Sequence, residues 1–154
     1  MWLALVAAFA VLVTPLLVVE PVTVRSVSMS PTFRSGDHVL IEKVTGRAHS
    51  PHRRDVVALR VPGSKELVIK RVVAVGGDEV GIEDGVLVVD GQPIQESFVD
   101  MATVDSTYFG PVSVPRGAVF VLGDNRANTN DSRRFGPVPL SDIVGRVVLT
   151  LWRP

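Results

Sequence analysis

The sequence predicts a mostly-β protein, in which a single compact β-sheet or barrel-like domain follows one N-terminal transmembrane helix. Three observations support this fold class. Residues 1–19 carry no charged side chain, short valine-rich runs recur through the rest of the chain, and glycine- or proline-containing turns separate those runs. The 13 glycines and 11 prolines disfavour long helices. The 154 residues suffice for one domain with its own core.

The N-terminal run, MWLALVAAFAVLVTPLLVV, fits a membrane-spanning helix. A helix of this length reaches about 28 Å, close to the thickness of the bilayer's hydrocarbon layer. The run is apolar on every face, unlike an amphipathic core helix, and it lacks the basic start and small-x-small end of a cleaved signal peptide. We therefore predict a retained anchor at residues 1–20 and a mostly-β domain at residues 21–154. Charge does not settle the orientation, because long domains cross membranes largely regardless of their charge.

Short apolar runs beyond the anchor predict β-strands. These runs are Val56–Val61, Leu67–Val75, Val86–Val89, Val119–Leu122 and Ile143–Leu151. Turn pairs flank the third run, so residues 81–94 are predicted to form a small β-meander. Residues 45–54 are polar and basic, and residues 97–113 are weakly patterned, so both are predicted to be loops.

Charge and cysteine content exclude several classes of function. The chain has 16 basic and 16 acidic residues, so its net charge is zero and nothing favours a nucleic-acid partner. It has no cysteine, which excludes disulfides, a cysteine nucleophile and a thiolate metal site. His49 and His52 lie in a basic loop and lack an obvious third metal ligand.

A cluster of three serines supplies the first candidates for a catalytic nucleophile. Ser26, Ser28 and Ser30 alternate just beyond the apolar run, and a serine becomes a good nucleophile only when a base removes its proton. His38 is one possible base, although no carboxylate stands in a recognisable triad order. A Ser-His-Asp triad therefore stays open as an alternative.

A lysine is the other possible base. Lys70 lies inside the apolar run LVIKRVVAV, where burial of one strand face would favour the neutral amine, and Arg71 should point to the opposite face. An equally open explanation is that Lys70 is a charged edge-strand residue that discourages aggregation. The polar stretch GDNRANTNDSRRFGP at residues 123–137 fits a loop held by side-chain hydrogen bonds, and it matches a calcium loop poorly.

Four sequence boxes, taken together, resemble those of bacterial type I signal peptidases. They are SMSPTF, RSGDHVLIEK, RRDVVALRVP with LVIKRVVAVGGD, and GDNRANTNDSR, in the family's order behind an N-terminal apolar segment. The similarity covers residues 1–150. It implies a membrane-anchored serine endopeptidase with a Ser-Lys dyad and without metal or cofactor. Such an enzyme removes signal peptides from exported preproteins at the outer face of the cytoplasmic membrane, so its partners would be preprotein signal peptides and membrane lipid.

The resemblance also implies roles for individual residues. Ser28 resembles the family's nucleophile and Lys70 its general base. Ser26 resembles the side-chain donor that stabilises the oxyanion together with the Ser28 amide. Asp131 and Arg133 resemble a supporting pair in the last box.

Two positions depart from the family pattern. Thr129 stands where serine is common, and the resemblance gives this hydroxyl the task of orienting the lysine. Arg54 stands where a glycine is usual, and a glycine there suggests a tight turn.

Four apolar residues near the dyad are expected to bind substrate. Val24, Met29, Phe33 and Ile69 resemble the lining of the pockets for the first and third residues before the cut, so cleavage should follow a small-x-small pattern. Val24 precedes Ser28 at an even spacing, which would place both on one face of a strand. The alternative is that these residues only pack the core or contact lipid.

Two other classes of protein stay open. A self-cleaving repressor with a Ser-Lys pair would need a DNA-binding helical domain and an internal Ala-Gly bond, and this chain has no Ala-Gly pair. A membrane-tethered β domain without enzymatic activity is the second alternative, and a preprotein-cleavage assay would separate it from a peptidase.

Overall fold

The computed structural model describes residues 19–43, 50–99, 104 and 108–152. Within these ranges the chain forms β-strands and one short helix, which confirms the mostly-β prediction. The elements are β1 Val19–Thr23, β2 His38–Glu42, β3 Val56–Arg60, β4 Leu67–Val75, β5 Glu79–Glu83, β6 Val86–Val89, β7 Gln92–Pro93, β8 Phe109–Ser113, β9 Ala118–Leu122, α1 Ser132–Phe135, β10 Val138–Pro139 and β11 Ile143–Trp152. A 3₁₀ turn, Leu140–Asp142, precedes β11.

The strands form two antiparallel sheets. The larger sheet has the order β1-β2-β11-β3-β4-β9-β10, and the smaller has the order β7-β6-β5-β8. The meander at residues 81–94 is confirmed, because β5, β6 and β7 pair in sequence within the smaller sheet. Strand β4, which contains the candidate base Lys70, lies between β3 and β9 in the larger sheet.

The five predicted strands are confirmed to within one residue at each end, as β3, β4, β6, β9 and β11. The prediction of a loop through residues 97–113 is wrong at its end, where β8 forms. The sequence did not indicate this strand because it contains Gly110 and Pro111, two residue types that normally interrupt strands. Pro111 is tolerated because β8, among the described strands, is an edge strand that pairs with β5 alone. Gly110 is needed because a Cβ there would lie 2.8 Å from the Val80 carbonyl oxygen.

Three apolar clusters form the core. The first fills the space between the two sheets and the second covers the other side of β3, β4 and β9. The third lies under the turn that follows β1, and its buried members are Val24, Met29, Phe33, Val39 and Val56. This third cluster supports the segment that carries the serines.

Most of the predicted anchor lies outside the described residues. Its last two residues, Val19 and Glu20, begin β1. Among the residues that the structure describes, no helix has the length and apolar character needed to cross a membrane. The predicted loop at residues 45–54 is described only from residue 50, where the chain runs without regular structure into β3.

Candidate active site

Ser28 lies in a turn between β1 and β2. The turn is closed by hydrogen bonds from the Ser30 amide to the Val27 carbonyl (3.0 Å) and from the Phe33 amide to the Met29 carbonyl (2.9 Å). The prediction that Val24 and Ser28 share a strand face is therefore wrong, because β1 ends at Thr23. Ser28 is 7% exposed, so its hydroxyl lies in a largely desolvated position.

Lys70 reaches this turn from β4. Its Nζ donates a hydrogen bond to Ser28 Oγ at 2.8 Å and another to the Ile69 carbonyl oxygen at 3.1 Å. Burial lowers the pKa of the Lys70 amine below its ordinary value of 10.5, while the carboxylates of Asp131, Glu66 and Asp124 act in the opposite direction. The net effect favours a neutral amine in contact with a serine hydroxyl.

Two further donors lie beside the Ser28 hydroxyl. Ser26 Oγ is 3.1 Å from Ser28 Oγ. Within the described part of the chain, no backbone carbonyl accepts a hydrogen bond from the Ser28 amide. A hydroxyl and a free backbone amide next to a nucleophile form the kind of arrangement that can hold an oxyanion.

Asp131 and Arg133 form the pair that the sequence predicted. The Asp131 carboxylate is 1% exposed and receives the Arg133 guanidinium as a fork, with both N–O distances 3.0 Å. It also caps α1 and accepts the Gly123 amide at 3.1 Å. Asn125 in the same loop donates its amide to the Ser28 carbonyl at 3.0 Å. The loop after β9 is therefore fixed at one end by Asp131 and contacts the Ser28 turn at the other.

Thr129 lies near this turn without contacting the lysine through a hydrogen bond. Its Oγ1 is buried and has no hydrogen-bond partner among the described residues. A Cβ added to Gly123 would overlap Thr129 Oγ1 and would lie 2.6 Å from the Ser28 carbonyl oxygen, so only glycine fits there. The orienting role of Thr129 thus stays a prediction.

An open groove of about 680 Å³ runs beside the Ser28 turn, between the end of β1 and the start of β4. It is lined by Pro21, Val22, Thr23, Val24, Arg25, Ser26, Met29, Glu66, Leu67, Val68 and Ile69. Three of the predicted pocket residues, Val24, Met29 and Ile69, line it. Phe33 belongs to the same apolar cluster as Val24 and Met29 but does not line the groove. Among the described strands, the β4 segment before Arg71 pairs with β3 alone, which leaves its other backbone edge open to them.

Two buried ion pairs near the site were not predicted. Arg71 forks onto Asp124, with N–O distances of 2.8 and 2.7 Å, and its guanidinium stacks 3.9 Å from the Phe98 ring centroid. Arg126 pairs with Glu96 at 2.6 Å. No local sequence signal links these partners, since 53 and 30 residues separate them.

His38, the alternative base, does not contact Ser28, and His49 lies outside the described residues. His38 Nδ1 lies 3.2 Å from Thr23 Oγ1, and His52 is exposed beside Asp55. The explanation of Lys70 as a charge that guards a strand edge is wrong, because Lys70 is 2% exposed and its amine is hydrogen-bonded to Ser28. Among the described side chains, no group of three or more histidines and carboxylates has the arrangement of a metal site.

A serine hydroxyl in contact with a buried lysine amine, beside an open groove, is the arrangement expected of serine hydrolases that use a lysine base. Comparison with known proteins agrees with this class. A family model described as "Signal peptidase, peptidase S26" matches residues 1–152. The chain therefore belongs to the signal peptidase S26 family.

Individual relatives support the same family. The chain is 40% identical over 146 residues to thylakoidal processing peptidase 1 of Arabidopsis thaliana, covering 88% of this chain and 42% of that relative. It is 38% identical over 136 residues to signal peptidase I V of Bacillus subtilis, covering 79% of each. The crystal structure of a signal peptidase I from Enterococcus faecalis superposes with a TM-score of 0.59 at 29% identity, covering 64% of this chain and 97% of that one.

Proposed function

We propose that this protein is a membrane-anchored serine endopeptidase that removes signal peptides from exported preproteins. The observation that carries this proposal is the 2.8 Å hydrogen bond between Lys70 Nζ and Ser28 Oγ at the side of an open groove. Membership of the signal peptidase S26 family supports the choice of substrate. The chain spans less than half the length of the plant relatives, so the activity is inferred for the described domain.

The proposed reaction begins with neutral Lys70. Its amine accepts the Ser28 hydroxyl proton while Ser28 Oγ attacks the scissile carbonyl. The Ser28 amide and the Ser26 hydroxyl stabilise the oxyanion, and one such donor contributes about 3 kcal/mol. The Lys70 ammonium then protonates the leaving amine, and a water deprotonated by Lys70 hydrolyses the acyl-enzyme ester. Neither metal nor cofactor takes part in this scheme.

The groove suggests how a signal peptide would bind. An extended segment can pair with the free backbone edge before Lys70 and with residues 21–26, so that main-chain hydrogen bonds supply affinity. The apolar lining from Val24, Met29 and Ile69 then accepts small side chains at the first and third positions before the cut. One additional methylene changes binding in such a pocket by only about 1–3 kcal/mol, so larger residues would be excluded mainly by steric clash.

Residues 1–20 are proposed to anchor the enzyme in the cytoplasmic membrane as a single span, with the catalytic domain on the outer side. The uncharged run at residues 1–19 supports the anchor. The placement outside follows from the proposed substrate, because a preprotein exposes its cleavage site after translocation. Protease added to intact spheroplasts should digest the domain, and protection from that protease would contradict this orientation.

The decisive experiment incubates the purified full chain with a preprotein that carries an Ala-x-Ala site and identifies the products by mass spectrometry. Ser28→Ala should lower kcat/KM by about 10⁴-fold or more. Ser30→Ala is the matched control, because Ser30 lies in the same turn, and it should cleave at the wild-type rate. Absence of cleavage by the wild-type protein, or full activity of Ser28→Ala, would overturn the proposal.

Pocket selectivity is tested with preproteins that carry Ala, Val, Leu or Phe before the cut. The wild-type enzyme should cleave only the alanine form efficiently, and Ile69→Ala should extend cleavage to valine and leucine because it enlarges the groove. Equal cleavage of all four substrates by the wild type would contradict the pocket assignment.

A further inference from the structure

Glu96 and Arg126 form a buried ion pair that the proposed reaction does not use. Their Oε2 and Nη2 atoms are 2.6 Å apart, and the two side chains are 7% and 4% exposed. Glu96 lies in the turn after β7, which is closed by a hydrogen bond from the Val99 amide to the Glu96 carbonyl (3.1 Å). A buried ion pair stabilises a fold little more than apolar side chains of similar size, so stability alone is a weak reason for a glutamate here.

Arg126 connects Glu96 to the loop after β9. Its Nε donates to the Gly123 carbonyl oxygen at 3.2 Å. Its own carbonyl accepts Arg133 Nη2 at 2.8 Å, and Arg133 in turn holds Asp131, which accepts the Gly123 amide. Gly123 is therefore fixed at both its amide and its carbonyl.

The same loop contacts the turn that carries the nucleophile. Gly123 packs against the Ser28 carbonyl, and Asn125 donates its amide to that carbonyl at 3.0 Å. The Asn125 side chain donates to the Val27 carbonyl at 3.2 Å. Polar contacts thus run without interruption from Glu96, through Arg126 and the loop, to the backbone of Ser28.

The turn that carries Glu96 also contacts a second arginine, Arg71. Phe98 stacks on the Arg71 guanidinium, which is itself fixed by the buried Asp124. Burial raises the pKa of the Glu96 carboxyl, and the neighbouring Arg126 opposes that change. Two side chains of one turn therefore contact two arginines, of which Arg71 binds Asp124 and Arg126 binds the Gly123 carbonyl.

We propose that Glu96 is a positioning residue for Ser28. Through Arg126 it fixes Gly123 and Asn125 against the Ser28 turn, and it thereby sets the distance between the Ser28 hydroxyl and Lys70. This inference deepens the proposed function and rests on it. A displacement of about 1 Å in a reacting group can lower a rate by about 100-fold, so a fixed loop matters even though Glu96 touches neither reacting atom.

Glu96→Gln keeps the side-chain shape and removes the charge. Its kcat for a preprotein should fall by about 10–100-fold, while KM stays within about twofold, because Glu96 does not line the groove. Hydrogen exchange of the Gly123 and Asn125 amides should become about tenfold faster, with β3 amides unchanged. Exchange does not depend on activity, so it tests the positioning role even if wild-type protein cleaves no preprotein and the proposed function fails.

Arg126→Lys provides a second variant in case Glu96→Gln does not fold. It retains the positive charge beside Glu96, but a single ammonium lacks the planar fork that reaches both Glu96 and the Gly123 carbonyl. It should show the same loss of kcat and the same faster exchange.

Asp90→Asn is the control, because it removes the charge of Asp90 from its ion pair with Arg53, whose N–O distance of 2.7 Å is similar to that of the Glu96–Arg126 pair. Asparagine also tolerates the φ of 53° at this position. Its kcat and its exchange at Asn125 should match the wild type. The proposal is overturned if Glu96→Gln and Arg126→Lys both keep wild-type kcat and wild-type exchange at Gly123 and Asn125. It is equally overturned if Asp90→Asn lowers kcat as much as they do.

Discussion

Lys70 and Arg71 are consecutive residues of β4, both buried, yet their surroundings differ completely. The Lys70 amine meets a serine hydroxyl and a backbone carbonyl, and burial lowers its pKa. The Arg71 guanidinium meets a carboxylate, Asp124, in a two-point fork. A lysine without a hydrogen-bonded carboxylate can lose its proton on burial, whereas an arginine stays charged and needs a partner. The alternation of side chains along one strand thus separates Lys70, the proposed proton acceptor, from Arg71, which forms a buried ion pair.

Removing the amine should give the largest effect. Lys70→Met keeps a similar volume but supplies no base, so kcat/KM for preprotein cleavage should fall by about 10⁴-fold or more. The free energy of unfolding should stay equal or rise, because methionine has no buried amine to desolvate. Urea denaturation and the cleavage assay check both expectations. Retained cleavage, or a large loss of stability, would show that Lys70 is a structural residue.

Removing the guanidinium of Arg71 should lower the free energy of unfolding, in contrast to removing the amine of Lys70. Arg71→Met leaves Asp124 buried without its countercharge, which should lower the free energy of unfolding by about 3–5 kcal/mol. Arg60→Met, at an exposed cation of β3, serves as the control and should change stability by less than about 0.5 kcal/mol. Similar unfolding curves for the two variants would contradict the contrast between Lys70 and Arg71.

Thr129 offers a test of whether stability and activity can be separated at one hydroxyl. Thr129→Val removes a buried hydroxyl that has no described partner, so the protein should be more stable by about 1 kcal/mol. If this hydroxyl orients Lys70 during the reaction, kcat should fall about tenfold, as expected for one lost hydrogen bond. Thr129→Ser should keep the wild-type rate. Equal rates for the valine variant would reduce Thr129 to a packing residue.

The smallest effect is expected at Arg54, whose carbonyl accepts Arg71 Nη1 at 2.9 Å. Arg54 has a φ of 81°, a conformation that costs a non-glycine residue about 1–2 kcal/mol. Arg54→Gly should therefore raise the free energy of unfolding by about 1 kcal/mol. Arg54→Ala keeps a Cβ and should give no gain, so equal stabilisation by both variants would exclude backbone strain as the cause.

The sequence predicted those parts of the molecule that depend on local periodicity. The apolar run Leu67–Val75 predicted β4, and the two-residue period of a strand predicted that Lys70 and Arg71 point to opposite faces. The chemistry of serine nucleophiles left a histidine or a lysine as the possible base for Ser28, and the resemblance to type I signal peptidases favoured Lys70. The hydrogen bond to Ser28 spans 42 residues of sequence, so only the structure could bring the two side chains together.

The features that escaped prediction depend on distant contacts or on conformational exceptions. Glu96 stands alone in a polar segment, and nothing nearby in sequence marks Arg126 as its partner. The strand β8 contains Gly110 and Pro111, which normally interrupt strands and are tolerated only at this edge. Phe33 shares an apolar cluster with Val24 and Met29 but does not line the groove, because residue type predicts burial and not which surface a side chain lines.

The central claim, that the buried amine of Lys70 is neutral and acts on Ser28, is tested most directly by titrating that amine. The chain has only three lysines, so NMR of ¹⁵N-labelled lysine can identify the Lys70 signal as the one absent from Lys70→Met. Its pKa should lie below 10.5, and the acidic limb of kcat/KM should follow the same pKa to an alkaline plateau. At pH values between the lowered Lys70 pKa of the folded state and 10.5, the unfolded chain binds more protons than the folded one. The stability of the wild type relative to Lys70→Met should therefore rise with pH in this range. A Lys70 pKa at or above 10.5, with cleavage intact at neutral pH, would contradict the claim.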